Sequence, residues 1–322
     1  MTPLYLAPMA ELSHRALREL IEDFGGCDGY FSEMISASAL LAGGPLEKYY
    51  IDNGPVAEKC VFQLVGSDIE AMAGAAGVLD RLECAGIDIN MGCSAPLIRK
   101  TGAGAAWMMK TPDKAGELIA KIRPQVKRRL SVKLRLGYTE DFEYLVRFCR
   151  RLEDEGVELI TLHPRLVTEK FKRLARWDYV GKLRAELKIP VAGNGDIGSA
   201  EELVKRAAGP CDAVMVGRAA VKQPWIFAEA KRRVFYHEPH EPIRTGEKGY
   251  DIEGIGLRFI ELLAIHQPQE FHVSRAKRFF GFFCENLKWG TFVYNQINRE
   301  GTLMGIEKVW RETFTEENTI QD

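Results

Sequence analysis

Residues 190–218 of this chain read PVAGNGDIGSAEELVKRAAGPCDAVMVGR, and this stretch is the clearest indication of the fold class. Apolar runs at 190–193 and 213–217 flank an amphipathic segment at 199–206, which begins on Ser199. A serine just ahead of acidic residues is typical of a helix N-terminus, because its side-chain oxygen accepts an unpaired amide of the first turn. The stretch therefore predicts a strand–helix–strand unit with parallel strands.

The same alternation of apolar runs and amphipathic segments recurs along the first three quarters of the chain. The apolar runs predict eight strands, at residues 4–7, 30–33, 61–65, 87–90, 131–135, 159–163, 190–193 and 213–217. Amphipathic periodicity predicts helices between them, at residues 13–23, 68–82, 112–122, 142–155, 179–187, 199–206 and 224–234. Such a series of repeats fits a closed barrel better than an open doubly wound sheet. We therefore predict an α/β fold, a (β/α)8 TIM barrel that forms the catalytic domain over residues 1–235.

A polar segment follows the predicted barrel. Residues 236–250 include two prolines and two glycines among charged residues, which is typical of a linker. Beyond it, helical periodicity at 255–265, 274–287 and 306–314 predicts a small all-helical C-terminal domain over residues 251–322. A large barrel with a helical appendage accounts for the length of 322 residues.

Composition limits the classes of protein to which the chain can belong. Charged residues make up 28% of it and no apolar run approaches the ~18 residues of a membrane span, so we expect a soluble protein. The first ten residues contain two prolines and no basic cluster, which argues against a secretory signal and predicts a cytoplasmic location. The seven cysteines form no CxxC pair, so neither a disulfide framework nor a zinc site is expected. A net charge of -1 means that a nucleic-acid partner would need a local basic patch.

Catalytic groups of such barrels lie at the C-terminal ends of the strands and in the loops that follow. At those ends the chain places Ala7, Pro8, Met9, Glu33, Gln63, Asn90, Cys93, Lys133, Arg135, His163, Arg165, Asn194, Asp196, Gly217 and Arg218. They include the groups that a flavin needs: an amide for its pyrimidine edge, a cation near N1 and O2, and backbone amides for a phosphate. The loops after the last two strands, with GNGD and GR, are the usual phosphate cradle of the fold. A phosphate-bearing cofactor is therefore predicted.

Several of these residues have a purely structural alternative. A lone cysteine is usually a small buried hydrophobe, but Cys93 follows a glycine beyond a strand end and precedes a glycine-containing loop. Lys133 could be a solvated charge, yet strand alternation points it into the barrel beside Arg135, where an unpaired cation would be costly. His163 has no acidic neighbour in sequence, so no metal site is predicted. The GNGD run could be an ordinary turn, and the matching GR loop favours the functional interpretation.

Short motifs in the predicted barrel resemble those of the tRNA-dihydrouridine synthases. They are LAPMA at residues 6–10 with HRALR at 14–18, FQLVG at 62–66, DINMGC at 88–93, SVKLR at 131–135, LHPR at 162–165, VAGNGDI at 191–197, and DAVMVGR at 212–218 with PWIF at 224–227. Together these motifs span about residues 4–229 in the family order. The chain departs from the family pattern in having Ser94 in place of the usual proline, and Pro164 and Leu166 around Arg165.

The resemblance implies that FMN binds on the barrel rim, with Gln63 and Lys133 on the isoalloxazine ring. The remaining cofactor contacts would come from Ala7, Pro8, Met9, His163, Asn194, Asp196, Gly217 and Arg218. The substrate would be a uridine in tRNA, turned out of its stack and laid over the flavin. Its contacts would come from Asn90, Arg135, Arg165, Lys277 and Arg278, the last two in a helical tRNA-binding domain.

The resemblance also implies a chemical role for Cys93. FMN, reduced by NADPH or NADH, would give hydride to uracil C6, and the thiol would protonate C5 as a general acid. An ordinary thiol is mostly protonated at cytoplasmic pH, which suits a proton donor. Lys133 would stabilise the negative charge of the reduced flavin. The chain is thus predicted to be a tRNA-dihydrouridine synthase, an FMN-dependent oxidoreductase that acts on CH–CH bonds.

Two other functions are compatible with the sequence. A flavin barrel of the dihydroorotate dehydrogenase or enoate reductase kind would act on a small molecule, and a non-catalytic relative would bind RNA without reducing it. Basic residues among 275–289 favour an RNA substrate. The phenylalanines at 279, 280, 282 and 283 could serve equally as the core of a packing helix or as base-stacking platforms. No protein partner is predicted, and we expect a monomer.

Overall fold

The computed structural model describes residues 1–170, 172–236 and 249–315, with the backbone alone at 235 and 236. Within these residues eight strands are parallel, each pairs with the next along the chain, and the last pairs with the first. They are β1 (Leu4–Leu6), β2 (Gly29–Ser36), β3 (Cys60–Val65), β4 (Gly86–Met91), β5 (Arg129–Gly137), β6 (Leu159–Leu166), β7 (Val191–Asn194) and β8 (Ala213–Val216). This closed barrel confirms the predicted (β/α)8 fold. The predicted linker falls mostly on residues 237–248, outside the described residues.

Helices follow the strands and cover much of the outside of the barrel. They are α1 (Arg15–Glu22), α2 (Ala37–Ala42), α3 (Glu47–Tyr50), α4 (Ile69–Asp80), α5 (Pro96–Lys100), α6 (Pro112–Ile122), α7 (Phe142–Asp154), α8 (Asp178–Glu186), α9 (Ala200–Ala207), α10 (Arg218–Lys222) and α11 (Ile226–Tyr236). Short 3-10 turns occur at Ala57–Lys59, Gly104–Met109, Arg123–Gln125, Val167–Glu169 and Cys284–Asn286. The helix start predicted at Ser199 is confirmed, because its side chain accepts a backbone amide of the first turn, and Asp68 and Thr111 do the same at the starts of α4 and α6.

Side chains alternate between the two faces of the barrel wall, as expected for strands. Outward-facing residues such as Ile87, Ile89 and Val132 are apolar and pack under the helices. Inward-facing residues at the N-terminal end of the barrel form a separate apolar cluster that includes Tyr5, Phe31, Val61 and Leu159. Inward-facing residues nearer the C-terminal end are polar: Gln63, Asp88, Asn90, Ser131, Lys133, Arg135 and His163. The barrel interior is therefore filled by apolar side chains at its N-terminal end and lined mainly by polar ones towards its C-terminal end.

An irregularity in β2 changes which of its residues faces the C-terminal end of the barrel interior. The register between β2 and β3 shifts between Phe31 and Met34, which interrupts the alternation of side chains. Met34 consequently lines the cavity at that end. Glu33, which the sequence placed on the catalytic rim, lies instead 2.9 Å from Arg275 in the C-terminal region. Glu33 is in the C-terminal half of β2, as expected, but it does not line the cavity, because the bulge interrupts the alternation of side chains.

Residues 249–315 form a C-terminal helical region of four helices, α12 (Ile252–His266), α13 (Gln269–Phe283), α14 (Gly290–Ile297) and α15 (Leu303–Glu312). Of these, α14 was not predicted, because its eight residues are too few to show a clear helical periodicity. In the region, α12 packs against α1 of the barrel and α13 packs against α10. No helix within the described residues is both long and apolar enough to span a lipid bilayer.

The aromatic residues of α13 form the core of the helical region. Phe279, Phe280 and Phe283 are completely buried, and the ring of Phe279 stacks on that of Phe259 with centroids 3.7 Å apart. Trp310 of α15 completes the cluster, 4.8 Å from Phe280 between ring centroids. Of the two interpretations left open by the sequence, packing against neighbouring helices is the one that holds for these three phenylalanines.

Candidate active site

A cavity opens at the C-terminal end of the barrel, where most of the predicted site residues converge. Its volume is about 540 Å³, within the range usual for cofactor and small-molecule sites. The predicted residues that line it are Ala7, Pro8, Met9, Asn90, Cys93, Lys133, Arg135, His163, Arg165, Asn194, Asp196, Gly217 and Arg218. Parallel strands bring their carboxyl ends to one rim, so residues far apart in sequence meet there.

The cavity wall is rich in positive charge. Five of its lining residues are lysine or arginine, and its acidic lining residue, Asp196, forms a salt bridge with Arg165. The second carboxylate oxygen of Asp196 accepts a hydrogen bond from the backbone amide of Ala175 at 2.7 Å. Cationic side chains gathered in a cleft favour an anionic ligand. The cavity therefore suits a phosphate and a group that becomes negative on reduction.

Lys133 and Arg135 face this cavity from β5, as strand alternation predicts. Burial, and next the charge of Arg135, lower the pKa of Lys133 to about 8, while Asp88 acts in the opposite direction. Burial and the charge of Arg165 lower the pKa of Arg135 to about 10. Because both cations are disfavoured by desolvation, a negative ligand would stabilise their charged forms strongly.

His163 is a neutral member of the same wall. Burial, and then the surrounding cations with Lys133 first, lower its pKa well below the ordinary value. Its Nε2 lies 2.9 Å from Nη1 of Arg165, and because a guanidinium only donates, Nε2 is the acceptor. The ring therefore has its proton on Nδ1. Among the described residues, no group of three or more histidine, cysteine or acidic side chains could hold a metal ion.

The Cys93 loop, residues 92–96, follows β4 and is held by hydrogen bonds to three parts of the barrel. The backbone amide of Cys93 donates to Oδ1 of Asn90 at 2.9 Å, and its carbonyl oxygen accepts from Ala105 at 3.0 Å. Nε of Arg135 donates to the carbonyl oxygen of Gly92 at 3.1 Å. A Cβ added at Gly104 would lie 2.9 Å from the Cys93 carbonyl oxygen, so that position requires glycine. These contacts orient the loop although Ser94 stands where a proline was expected.

Gln63 is a predicted cofactor residue that the structure does not bring to the cavity. Its side chain is completely buried. Nε2 of Gln63 donates to Asp88 at 2.7 Å, and its Oε1 accepts from Nδ2 of Asn90 at 2.8 Å. Both ends of the amide are thus bonded within the protein, and Asn90 rather than Gln63 lines the cavity. Strand alternation correctly predicted that the Gln63 side chain points into the barrel. It did not predict how far below the cavity the side chain lies.

Comparison with known proteins assigns the chain that forms this cavity to a family. A sequence profile described as dihydrouridine synthase (Dus) matches residues 5–286, which include all of the barrel strands except the first residue of β1. The chain belongs to the dihydrouridine synthase family. The match extends through α12 and α13, so the beginning of the helical region is part of the family pattern as well.

Individual members of the dihydrouridine synthase family are similar over much of the chain. A probable tRNA-dihydrouridine synthase of Aquifex aeolicus is 34% identical over 236 residues, which are 71% of this chain and 72% of the relative. A tRNA-dihydrouridine(16) synthase of Cupriavidus necator is 31% identical over 243 residues, 70% of this chain and 72% of the relative. A protein of the same name from Neisseria meningitidis serogroup B is 26% identical over 328 residues, 99% of this chain and 96% of the relative.

The cavity of this dihydrouridine synthase also contains residues that sequence reasoning did not select. They are Ala10, Met34, Gly92, Ser94, Ala95, Pro96, Lys170, Gly195, Ile197 and Met215. Most of them neighbour a selected residue, and proximity to a strand end would have found them. Lys170 has no such signal. Lys170 has a left-handed backbone conformation, with a φ of 52°. Its carbonyl oxygen accepts a hydrogen bond from Nη1 of Arg135 at 3.1 Å, which holds this part of the loop beside the cavity.

Two predicted substrate residues, Lys277 and Arg278, lie on α13 and do not line the cavity. Arg278 is exposed, and its Nε is 3.1 Å from a carboxylate oxygen of Glu11 in the loop after β1. Trp289, just beyond α13, has 66% of its surface exposed. Any contact of these side chains with a substrate would therefore be outside the catalytic cavity.

Proposed function

We propose that this chain reduces the C5–C6 double bond of specific uridines in tRNA, with FMN as cofactor, NADPH as reductant and Cys93 as general acid. The observation that carries the proposal is the position of Cys93, in the wall of a cation-rich cavity at the catalytic end of a dihydrouridine synthase barrel. Relatives aligned over at least 70% of the chain are named as tRNA-dihydrouridine synthases, which supports tRNA as the substrate. The cytoplasm, where tRNA is found, is the proposed location.

The residues of the cavity fit FMN. Arg218 and Gly217 would hold the phosphate in the loop after β8, the usual place for phosphate in this fold. Gly217 and Arg218 both line the cavity. Lys133 would face the ring, where reduction builds negative charge. Bound FMN, once reduced by NADPH, would supply a hydride to uracil C6.

The chain's own groups would bind the uracil and protonate it. A uridine has to leave its stack to enter a cavity at the end of a barrel, so tRNA binding would include base flipping. Asn90 and Arg135 both line the cavity and both hold the Cys93 loop through backbone atoms, which would orient the thiol towards the base. The Cys93 thiol would then give its proton to C5 as C6 gains hydride, in the role of a general acid.

The test is nucleoside mass spectrometry of tRNA from cells with and without the gene. We expect dihydrouridine to disappear from one or more tRNA positions in the deletion strain and to return when the parent chain is expressed. An absorption spectrum of the purified protein should show a bound flavin. Unchanged dihydrouridine in the deletion strain would contradict the proposal, and turnover of free pyrimidines or enones without RNA would favour a small-molecule reductase instead.

A further inference from the structure

A chain of buried hydrogen bonds runs beneath the Cys93 loop, across three neighbouring strands. Oγ of Ser131 donates to Oδ1 of Asp88 at 2.6 Å, and Nε2 of Gln63 donates to Oδ2 of the same carboxylate at 2.7 Å. Nδ2 of Asn90 donates to Oε1 of Gln63 at 2.8 Å. Oδ1 of Asn90 then accepts from the Cys93 backbone amide at 2.9 Å. The carboxylate is thus connected to the loop through two side-chain amides.

This chain of bonds has a direction, and Asp88 sets it. A side-chain amide can be turned by 180° and still form hydrogen bonds, whereas an ionised carboxylate can only accept them. Because Asp88 only accepts, Gln63 has to turn its NH2 group towards Asp88 and its oxygen towards Asn90. Asn90 in turn has to offer its NH2 group to Gln63 and its oxygen to the Cys93 loop. The opposite orientation of Asn90 would leave two donors facing each other at the Cys93 amide.

We infer that Asp88 is a positioning residue, which acts through Gln63 and Asn90 to present an acceptor to the Cys93 loop and so to hold the thiol in place. The importance of this position for catalysis rests on the proposed function, but the hydrogen-bond relay can be tested without it. Asp88 and Gln63 are completely buried, and neither lines the cavity. Their effect on the substrate would therefore be indirect.

An alternative role for Asp88 is to act only as a counter-charge. Its charge raises the pKa of Lys133, and Lys133 faces the same cavity. A pure counter-charge would require the carboxylate but would not depend on the orientation of Gln63 or Asn90. The two roles therefore differ in what they predict for variants that keep or reverse the direction of the relay.

Cys93 itself provides the measurement. It is half-buried, whereas the other six cysteines are buried, so a thiol reagent added to the folded protein reports on this loop. The experiment follows the rate at which iodoacetamide alkylates Cys93 in the full-length protein as purified. A loop that has lost an anchoring hydrogen bond opens more often, and its thiol reacts faster.

The decisive variants reverse the relay. Asn90→Asp removes the donor that Gln63 requires, and we expect alkylation to become roughly fivefold faster, the change expected from one lost hydrogen bond. In Asp88→Asn/Asn90→Asp the new carboxylate at position 90 accepts from both the Cys93 amide and Gln63. The new amide at position 88 donates to Gln63 and accepts from Ser131. Every bond is restored in the opposite direction, so we expect the parent rate within about twofold.

In Asn90→Asp, repulsion between the carboxylates at positions 88 and 90 would by itself loosen the loop. A third variant separates this effect from the loss of the relay. Gln63→Met interrupts the relay and introduces no charge, so faster alkylation is expected from the relay and an unchanged rate from repulsion alone. Thr161→Val is the matched control, because the Thr161 hydroxyl is buried in the adjoining strand and has no hydrogen-bond partner in the described part of the chain. Its alkylation rate should equal that of the parent.

Two outcomes would overturn the inference: an alkylation rate in Asp88→Asn/Asn90→Asp as fast as in Asn90→Asp, or an unchanged rate in Gln63→Met. Should Asn90→Asp fail to fold while the double variant folds, the rescue supports the relay. Should neither fold, Gln63→Met decides. The proposed function is tested separately from the relay. If the parent protein formed no dihydrouridine while the alkylation rates of the variants still followed the relay, the proposed function would fail and the relay would stand.

Discussion

Nη2 of Arg275 lies 2.9 Å from Oε2 of Glu33, and both side chains are almost completely buried, with 2% and 4% of their surface exposed. This ion pair joins α13 of the helical region to β2 of the barrel. The other carboxylate oxygen of Glu33 accepts a hydrogen bond from the backbone amide of Glu11 at 2.6 Å. Glu11 directly follows Ala10, which lines the cavity. The helical region is therefore connected to the wall of the catalytic cavity through one buried carboxylate.

Loss of this ion pair should be strongly destabilising. Arg275→Met should reduce the free energy of unfolding by about 3–5 kcal/mol, because it leaves Glu33 buried without its partner. The measurement is denaturant unfolding followed by circular dichroism. Arg278→Met is the control: Arg278 pairs with Glu11 at the surface, and its loss should cost less than ~1 kcal/mol. Equal losses of unfolding free energy in the two variants would show that the buried ion pair contributes no more to stability than the exposed one.

Removal of the Cys93 thiol should separate flavin chemistry from product formation. Cys93→Ala should retain bound flavin and NADPH oxidation, while dihydrouridine formation falls about 100-fold or more, as expected for loss of a general acid. Mass spectrometry of tRNA treated with the reduced enzyme provides the measurement. Cys211→Ala, at a buried cysteine ahead of β8, should remain active. Loss of bound flavin in Cys93→Ala would contradict the role of proton donor.

Lys133 should control the redox potential of the flavin. Lys133→Met should lower the midpoint potential by roughly 30–60 mV, because 30 mV corresponds to ~1.4 kcal/mol for two electrons and the positive charge beside the reduced ring is lost. In the parent, the pKa of Lys133 is about 8, so affinity for an anionic ligand should decline as the pH rises through that value. Spectroelectrochemical titration provides the test. Exposed Lys182→Met should leave the potential unchanged, and an equal shift in both variants would argue against a specific effect.

Asp88 should make the stability of the protein dependent on pH. Burial raises its pKa from 3.8 to about 6, although Gln63 and Ser131 act in the opposite direction. Since the folded-state pKa is the higher one, this group favours folding most below pH ~4, and its contribution is lost as the pH rises through 6. The stability of Asp88→Asn relative to the parent should therefore increase between about pH 4 and 6. Thermal unfolding across this interval measures it, and Asp178→Asn, at the surface, should show no such trend.

The exposed and the buried aromatic residues of the helical region should behave differently. Trp289→Ala should weaken tRNA binding by about 1–3 kcal/mol, the usual contribution of one stacked base, with little change in stability. Phe279→Ala should instead destabilise the protein by about 3–5 kcal/mol, because it opens a cavity in the core. Filter binding of tRNA and denaturant unfolding measure the two effects. Unaltered tRNA binding in Trp289→Ala would place the tRNA elsewhere on the surface.

Local sequence patterns predicted the barrel and most of its cavity. A strand reveals itself by a short apolar run, and its end is marked within a few residues, as for Lys133 on β5 and Asn194 on β7. Because all eight strands are parallel, their ends meet at one rim whatever the details of packing. Residues selected one by one at strand ends therefore lie together in space.

The partners of buried polar groups could not be predicted in this way. Glu33 was expected at the rim and pairs with Arg275, and Gln63 was expected at the flavin and bonds Asp88 and Asn90. The position of Glu33 depends on the bulge in β2, and that of Gln63 on how deep its side chain lies within the barrel. No local sequence pattern reveals either feature.

The order of strands and helices, the end of the barrel at which the cavity opens and the place of Cys93 at that end all followed from local patterns in the sequence. The groups that hold Cys93 there, and the contact between the helical region and the cavity wall, could be seen only in the folded chain. The physical reason is that apolar periodicity is a property of neighbouring residues. A buried hydrogen bond or ion pair, such as that of Glu33 with Arg275, joins residues that only the folded chain brings together.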